Sequence, residues 1–65
     1  MTYTEFKKIT YHTPLSEELR EKIAKAYART YSSLIVDDVS LEDAEVLYSL
    51  GYILKVRDNK MEIQL

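Results

Sequence analysis

Chemistry at a protein site needs an activated nucleophile, paired carboxylates, a metal-ligand cluster or a phosphate cradle, and this chain is poor in all four. His12 is the single histidine, the one side chain whose ordinary pKa lies near neutrality. Nucleophilic catalysis also requires a serine or cysteine beside that base and a group to orient it. No serine stands in such a context, and His12 reads as a surface residue. Asp37-Asp38 with Glu42 is the one carboxylate grouping suited to acid–base work or Mg²⁺. Its simpler reading is a solvated loop entering a helix, where acids complement the dipole. The chain has no cysteine, so neither a disulfide nor a thiolate metal site can form, and one histidine builds no metal centre alone. A single glycine rules out glycine-rich phosphate loops. The expectation is a protein that is not an enzyme and uses no cofactor.

Charge segregation says more than net charge. Residues 1–29 hold six basic and four acidic groups, residues 30–54 hold five acids and no base, and residues 55–65 hold three bases and two acids. The middle segment predicts an acidic patch around Asp37, Asp38, Glu42, Asp43 and Glu45. Such a patch suits a basic protein partner and repels nucleic acid, or it simply keeps a small domain soluble.

The elements that must position these groups begin with a C-terminal β-hairpin. Tyr52, Leu54 and Val56 alternate with polar or solvent-facing neighbours, as do Met61, Ile63 and Leu65. A two-residue turn at Asp58-Asn59 sets Val56 opposite Met61, Leu54 opposite Ile63 and Lys55 opposite Glu62. A slip of one residue would turn an apolar set into water, so the register is specified. An amphipathic helix is expected over roughly Leu15–Tyr31, capped by Thr13 or Ser16, with Leu15, Leu19, Ile23, Ala26, Tyr27 and Thr30 along one side. A second helix is framed by Ser40, which opens a capping-box-like Ser-Leu-Glu-Asp start, and by Gly51, which ends it. Leu41, Ala44, Leu47 and Tyr48 form its main apolar side, and Val46 and Leu50 widen that side enough to suggest a sandwiched helix. Leu34-Ile35-Val36 reads as a third strand beside the hairpin. Residues 1–12 carry mixed signals. Thr2-x-x-Glu5 and the Phe6–Ile9 spacing are helical, but the β-formers Tyr3, Phe6, Ile9, Thr10 and Tyr11 favour a strand from about Glu5 to His12.

The order helix, strand, helix, hairpin resembles part of a winged-helix domain, which implies a reading helix before a hairpin wing. Here that helix carries Glu42, Asp43 and Glu45 and no Lys or Arg. Phosphate binding relies on cations that displace counterions, so contact with nucleic acid would fall to Lys55, Arg57 and Lys60 on the hairpin, or to the first helix. Within residues 40–53, Ser40-Leu41-x-Asp43-Ala44-x-x-Leu47-x-x-x-Gly51-x-Ile53 is similar to a helix-to-strand stretch in the non-catalytic amino-terminal domain of archaeal tRNA-splicing endonuclease subunits. That similarity implies a structural or assembly role.

Sixty-five residues make one domain, residues 1–65, near the lower limit for a self-sufficient core. A chain this size buries only about 60% of its unfolded surface. No apolar run reaches the roughly 20 residues of a membrane span, and the polar start is no signal peptide. A soluble cytoplasmic protein is expected. One Asn and one Gln beside many Glu, Lys, Ile and Tyr is a composition tending towards thermophily. Six tyrosines are a resource for interfaces. Tyr27 and Tyr48 fall on apolar helix faces as core candidates, whereas Tyr3, Phe6 and Tyr11 would make an aromatic edge strand able to pair with another chain.

The expected fold is therefore α+β: two helices on a small, mostly antiparallel sheet ending in the hairpin. The expected function is a non-enzymatic interaction module, an accessory subunit, inhibitor or regulator of a larger protein, with a homodimer also open. Its surfaces would be Asp37, Asp38, Glu42 and Glu45 together with Tyr3, Phe6 and Tyr11. The alternative is a nucleic-acid binder using Lys55, Arg57 and Lys60.

Overall fold

Asp58 and Asn59 take φ of 48° and 67°, the paired left-handed values of a type I′ turn, whose twist matches that of the strands it joins. In the computed structural model, which describes residues 1–65, this turn joins β2 (Ile53–Arg57) to β3 (Lys60–Gln64). Val56 opposes Met61, Leu54 opposes Ile63 and Lys55 opposes Glu62, the register read from the alternation. Strand β1 (Ser33–Asp37) pairs with the other side of β3, so the antiparallel sheet has the order β1-β3-β2. Val36, Met61 and Val56 form one apolar row across it, and Leu34, Ile63 and Leu54 form the next. Ile63, on the central strand, has no exposed surface.

Three helices supply the cover: α1 (Tyr3–Ile9), α2 (Glu17–Ala28) and α3 (Leu41–Ser49). Phe6, Leu15, Leu19, Ile23, Ala24, Val36, Leu47 and Ile63 form one buried cluster that joins all three to the sheet. The helix α3 has the ends its sequence specifies. Ser40 Oγ accepts from the Asp43 N–H at 3.1 Å, and Gly51 closes the helix at φ 95°, a value costly for a residue with a Cβ. The α2 helix is shorter than its apolar pattern suggests, starting at Glu17 and ending at Ala28.

The strand expected over Glu5–His12 is instead helix α1, which raises the helix count from two to three. Thr2 Oγ1 accepts from the Glu5 N–H at 3.1 Å and so satisfies a first-turn donor. Phe6 then enters the core with 1% of its surface exposed, and Thr10 closes the helix with its hydroxyl on the Phe6 carbonyl at 2.8 Å. Strand propensity reflects how a side chain fits a half-buried pleat, and it yields where a cap and a core anchor favour a helix. No helix is long and apolar enough to cross a membrane.

Two polar clasps hold the helices in place. Arg20 on α2 is 9% exposed, and its guanidinium donates to the carbonyls of Thr10, Thr13 and Leu15 at 2.9, 3.3 and 3.1 Å. Its Nε reaches Thr10 Oγ1 at 3.1 Å, and Glu17 pairs with its remaining nitrogen. The α1–α2 connection is thus wrapped around one cation. The second clasp is Asp43 on α3, 7% exposed, which accepts from the Ser16 N–H at 2.9 Å and the Ser16 hydroxyl at 2.8 Å. This places a carboxylate at the amino end of α2, where the dipole favours negative charge.

A third group ties α1 to α2 at the surface. Tyr3 OH donates to Glu21 at 2.6 Å, and Lys7 Nζ reaches the other Glu21 oxygen at 2.9 Å. Tyr3 and Lys7 hold the Glu21 carboxyl below its usual pKa, and the bonds to Glu21 and Tyr3 hold the Lys7 ammonium above its own. Beneath them the Tyr27 and Tyr52 hydroxyls meet at 2.6 Å. Burial, then the bond to Tyr27, pushes the Tyr52 phenol well above its ordinary pKa of 10.0. The folded state therefore keeps a proton on Tyr52 that the unfolded chain loses above about pH 10, so stability falls as pH rises through that point. Lys7 acts with the same sign, its contribution being complete below its unfolded pKa and lost as pH passes its folded one. Alkaline titration of thermal stability should show a decline beginning near pH 10 that is visibly smaller in Tyr52→Phe. An equal decline in both proteins would contradict this assignment.

Candidate protein-docking surface

The capped, glycine-terminated α3 is a rigid rod, and its rotation about its own axis decides what it offers to solvent. Asp43 must face Ser16 on α2, and Leu47, one turn on, is fully buried beside it. That rotation turns Leu41 and Tyr48 outward, each 76% exposed. The expectation of a sandwiched helix with Leu41 and Tyr48 in the core does not hold. A buried polar clasp has turned the apolar stripe to water.

Leu41, Ala44 and Tyr48 lie at helical spacing along one exposed side of α3, a strip about 10 Å long. It continues across a groove of about 470 Å³ in which Leu41, Ala44 and Val39 face Val56 and Met61 of the hairpin. Val56 shares the core face of the sheet, but it lies beyond the cover of α3 and is 70% exposed. Asp38, Asn59 and Lys60 complete the lining. Glu42 and Glu45 are exposed on α3 beside the strip, and α3 carries no cation. The surface is thus an apolar strip with Glu42 and Glu45 beside it on α3 and a mixed polar rim of Asp38, Asn59 and Lys60 at the hairpin.

The sequence-derived candidates separate into different places. Asp38 lines this groove, whereas Glu42 and Glu45 are exposed on α3 and are not among its lining residues. Asp37 lies on the far face of the sheet, opposite Lys60, and Asp43 is spent on the clasp. The aromatic edge breaks up entirely. Phe6 is a core residue, with ring centroids 5.5 Å from Tyr27 and 6.4 Å from Tyr52. Tyr3 is half-buried and bonded to Glu21, and only Tyr11 remains free, 75% exposed with its ring edge-on to His12. Lys55, Arg57 and Lys60 are all exposed and share the outer face of the sheet, where Asp37 and Glu62 stand among them.

Leu41, Tyr48 and Val56 are the surface residues that pattern reading missed, because periodicity alone places them inside. The available signal was an excess: α3 has more apolar positions than one buried face can use. No group of three or more His, Asp or Glu side chains is placed to hold a metal ion. Compared with known proteins, the chain matches no family model, no curated protein and no solved structure.

Proposed function

We propose that this protein is a non-enzymatic interaction module whose docking surface is the α3–hairpin groove. The observation that carries this reading is the outward placement of Leu41 and Tyr48 on a helix whose core face is already filled by Leu47. A contiguous apolar strip bordered by polar residues is a feature of protein-binding surfaces. Aliphatic and aromatic anchors on a rigid helix bind with little loss of conformational freedom. The occupant is a segment of a larger protein that presents apolar side chains flanked by Lys or Arg. Its cations would meet Asp38, Glu42 and Glu45, which favours encounter and fixes orientation. Such a module acts as an accessory subunit, inhibitor or regulator.

The competing ligand is nucleic acid, held by Lys55, Arg57 and Lys60 on the outer sheet face. Interleaved Asp37 and Glu62 weaken that surface as a phosphate track, and α3 contributes no cation to it. Capture from source-cell extract with the wild type and with Leu41→Asp/Tyr48→Ala separates the two ligands. The reading predicts a stoichiometric protein on the wild type and a loss of affinity of about thirtyfold or more in the variant. The variant's circular dichroism should match the wild type, since both residues are mostly exposed. Equal capture by both folded proteins would contradict the reading.

A further inference from the structure

The sheet has two open edges, and they are not alike. Strand β2 carries Lys55 and Arg57, the kind of cation with which natural edges discourage pairing. Strand β1 reads Ser33-Leu34-Ile35-Val36-Asp37, with no Lys, Arg or Pro and no bulge in its register with β3. Ile35 is 62% exposed on the uncovered face of the sheet. The free backbone groups of β1 can be assigned. The Leu65 N–H donates to the Ser32 carbonyl at 3.0 Å, and bond direction alternates along an antiparallel ladder. Leu34 and Val36 therefore turn their N–H and C=O groups towards β3, while Ser33, Ile35 and Asp37 turn theirs outward.

We propose that β1 pairs antiparallel with β1 of a second copy of this chain, in a register centred on Ile35. In this register Ser33 faces the second copy's Asp37, Ile35 faces its own counterpart, and Asp37 faces the second copy's Ser33. The residues brought together are those whose backbone groups point outward, so every outward N–H and C=O from Ser33 to Asp37 finds a partner. Side chains agree with this register. Asp37 meets a serine hydroxyl rather than another Asp37, which avoids the cost of like charges directly opposite. The central row of the joined sheet reads Lys55, Glu62, Ile35, then the second copy's Ile35, Glu62 and Lys55. An apolar pair at the two-fold axis is flanked on each side by an opposite-charge pair.

The dimer also supplies burial that the single chain lacks, since only 12 of its 65 residues are buried. Joining two three-stranded sheets in the order β2-β3-β1-β1-β3-β2 puts the two β2 strands at the outer edges, about 24 Å apart. The two α3 grooves then lie at opposite ends of the assembly, free for partners. The pairing does not depend on what those grooves bind.

The chain has no cysteine, so Ile35→Cys introduces its only thiol. In the proposed register the two Cα atoms at position 35 lie about 5.5 Å apart, within reach of a disulfide. Mild oxidation of the full-length Ile35→Cys protein should give a covalent dimer. Lys55→Cys, on the same sheet face but on β2, should stay monomeric under the same conditions. Sedimentation equilibrium of the wild type should show reversible dimerisation, and Ile35→Lys should raise the dissociation constant about tenfold or more by opposing like charges at the axis. A wild type that sediments as a monomer at every concentration would overturn the proposal. So would cross-linking of Lys55→Cys as readily as Ile35→Cys, or a dimer indifferent to Ile35→Lys. None of these results bears on capture through the groove, so the two readings fail separately.

Discussion

Replacing Arg20 with methionine should lower the free energy of unfolding by about 2–5 kcal/mol, although the helix keeps an unbranched side chain that still covers the core. The guanidinium donates to the main-chain carbonyls of Thr10, Thr13 and Leu15; methionine would leave those of Thr13 and Leu15 without a donor, while the Thr10 carbonyl keeps the Thr13 N–H and hydroxyl. A buried acceptor stripped of its donor costs about 1–3 kcal/mol, and Thr13 lies near enough to the surface to find water instead. Arg20→Lys should recover little. An ammonium is a compact point charge that cannot span acceptors arranged around a planar fork. Against an expected stability of about 3–10 kcal/mol for a chain this short, either change consumes much of the margin. The check is the midpoint of urea unfolding at unchanged slope. A shift equivalent to less than about 0.5 kcal/mol, the range of ordinary surface substitutions, would mean that the clasp holds nothing.

Phe6→Ala is the second large effect, expected at about 3–5 kcal/mol. Its ring is the point where α1 enters the common core, lying against Tyr27 and Tyr52. Removing it leaves a cavity and loosens the setting of the Tyr27–Tyr52 hydroxyl pair. Phe6→Leu, which keeps most of the volume, should cost less than about 1.5 kcal/mol. At this chain length each kcal/mol moves the melting temperature by about 4–8 °C, so a thermal scan separates the two variants. If Phe6 belonged to an exposed contact surface, Phe6→Ala would change partner binding and leave melting alone. The structure predicts the reverse.

The parts of the fold that could be read from the chain are those whose determinants are local. Asp58 and Asn59 accept positive φ, so turn and register follow from adjacent residues. Ser40 and Gly51 bracket α3 because each end is fixed by groups within a few positions. The first twelve residues carried two local signals of opposite sense, a cap at Thr2 and a run of strand formers. What decided between them was the burial of Phe6 against residues far along the chain. The rotation of α3 is a starker case. Asp43 and Ser16 are 27 positions apart, and no periodicity within α3 announces that a carboxylate outranks Leu41 and Tyr48 for the inner face.

Arg20 left a trace that could have been followed. It stands three residues before Ile23 and four before Ala24, on the buried side of α2, where an unpaired charge would be costly. Its partners were invisible all the same, because backbone carbonyls of a loop have no signature in sequence. The candidate surface suffered in proportion. Acidic residues are legible because charge is read directly, and of these Asp38 lines the groove while Glu42 and Glu45 are exposed on α3. Pattern alone places the apolar strip of Leu41 and Tyr48 in the core and Phe6, a core residue, at the surface. Both errors come from treating an apolar side chain as informative about burial before the neighbouring elements are in place.

Binding of a protein in the α3–hairpin groove is the proposal on which the rest depends. The most direct test is capture of the full-length chain's partners from its own cell extract, with and without exhaustive nuclease treatment, followed by mass spectrometry. The expected result is a stoichiometric protein that survives nuclease, carries Lys or Arg beside apolar residues at its contact, and is released when Asp38, Glu42 and Glu45 are changed to lysine. Recovery that collapses after nuclease, or that is abolished by neutralising Lys55 and Arg57, which lie outside the groove, with a flattened salt dependence, would contradict it and assign binding to nucleic acid on the outer sheet face.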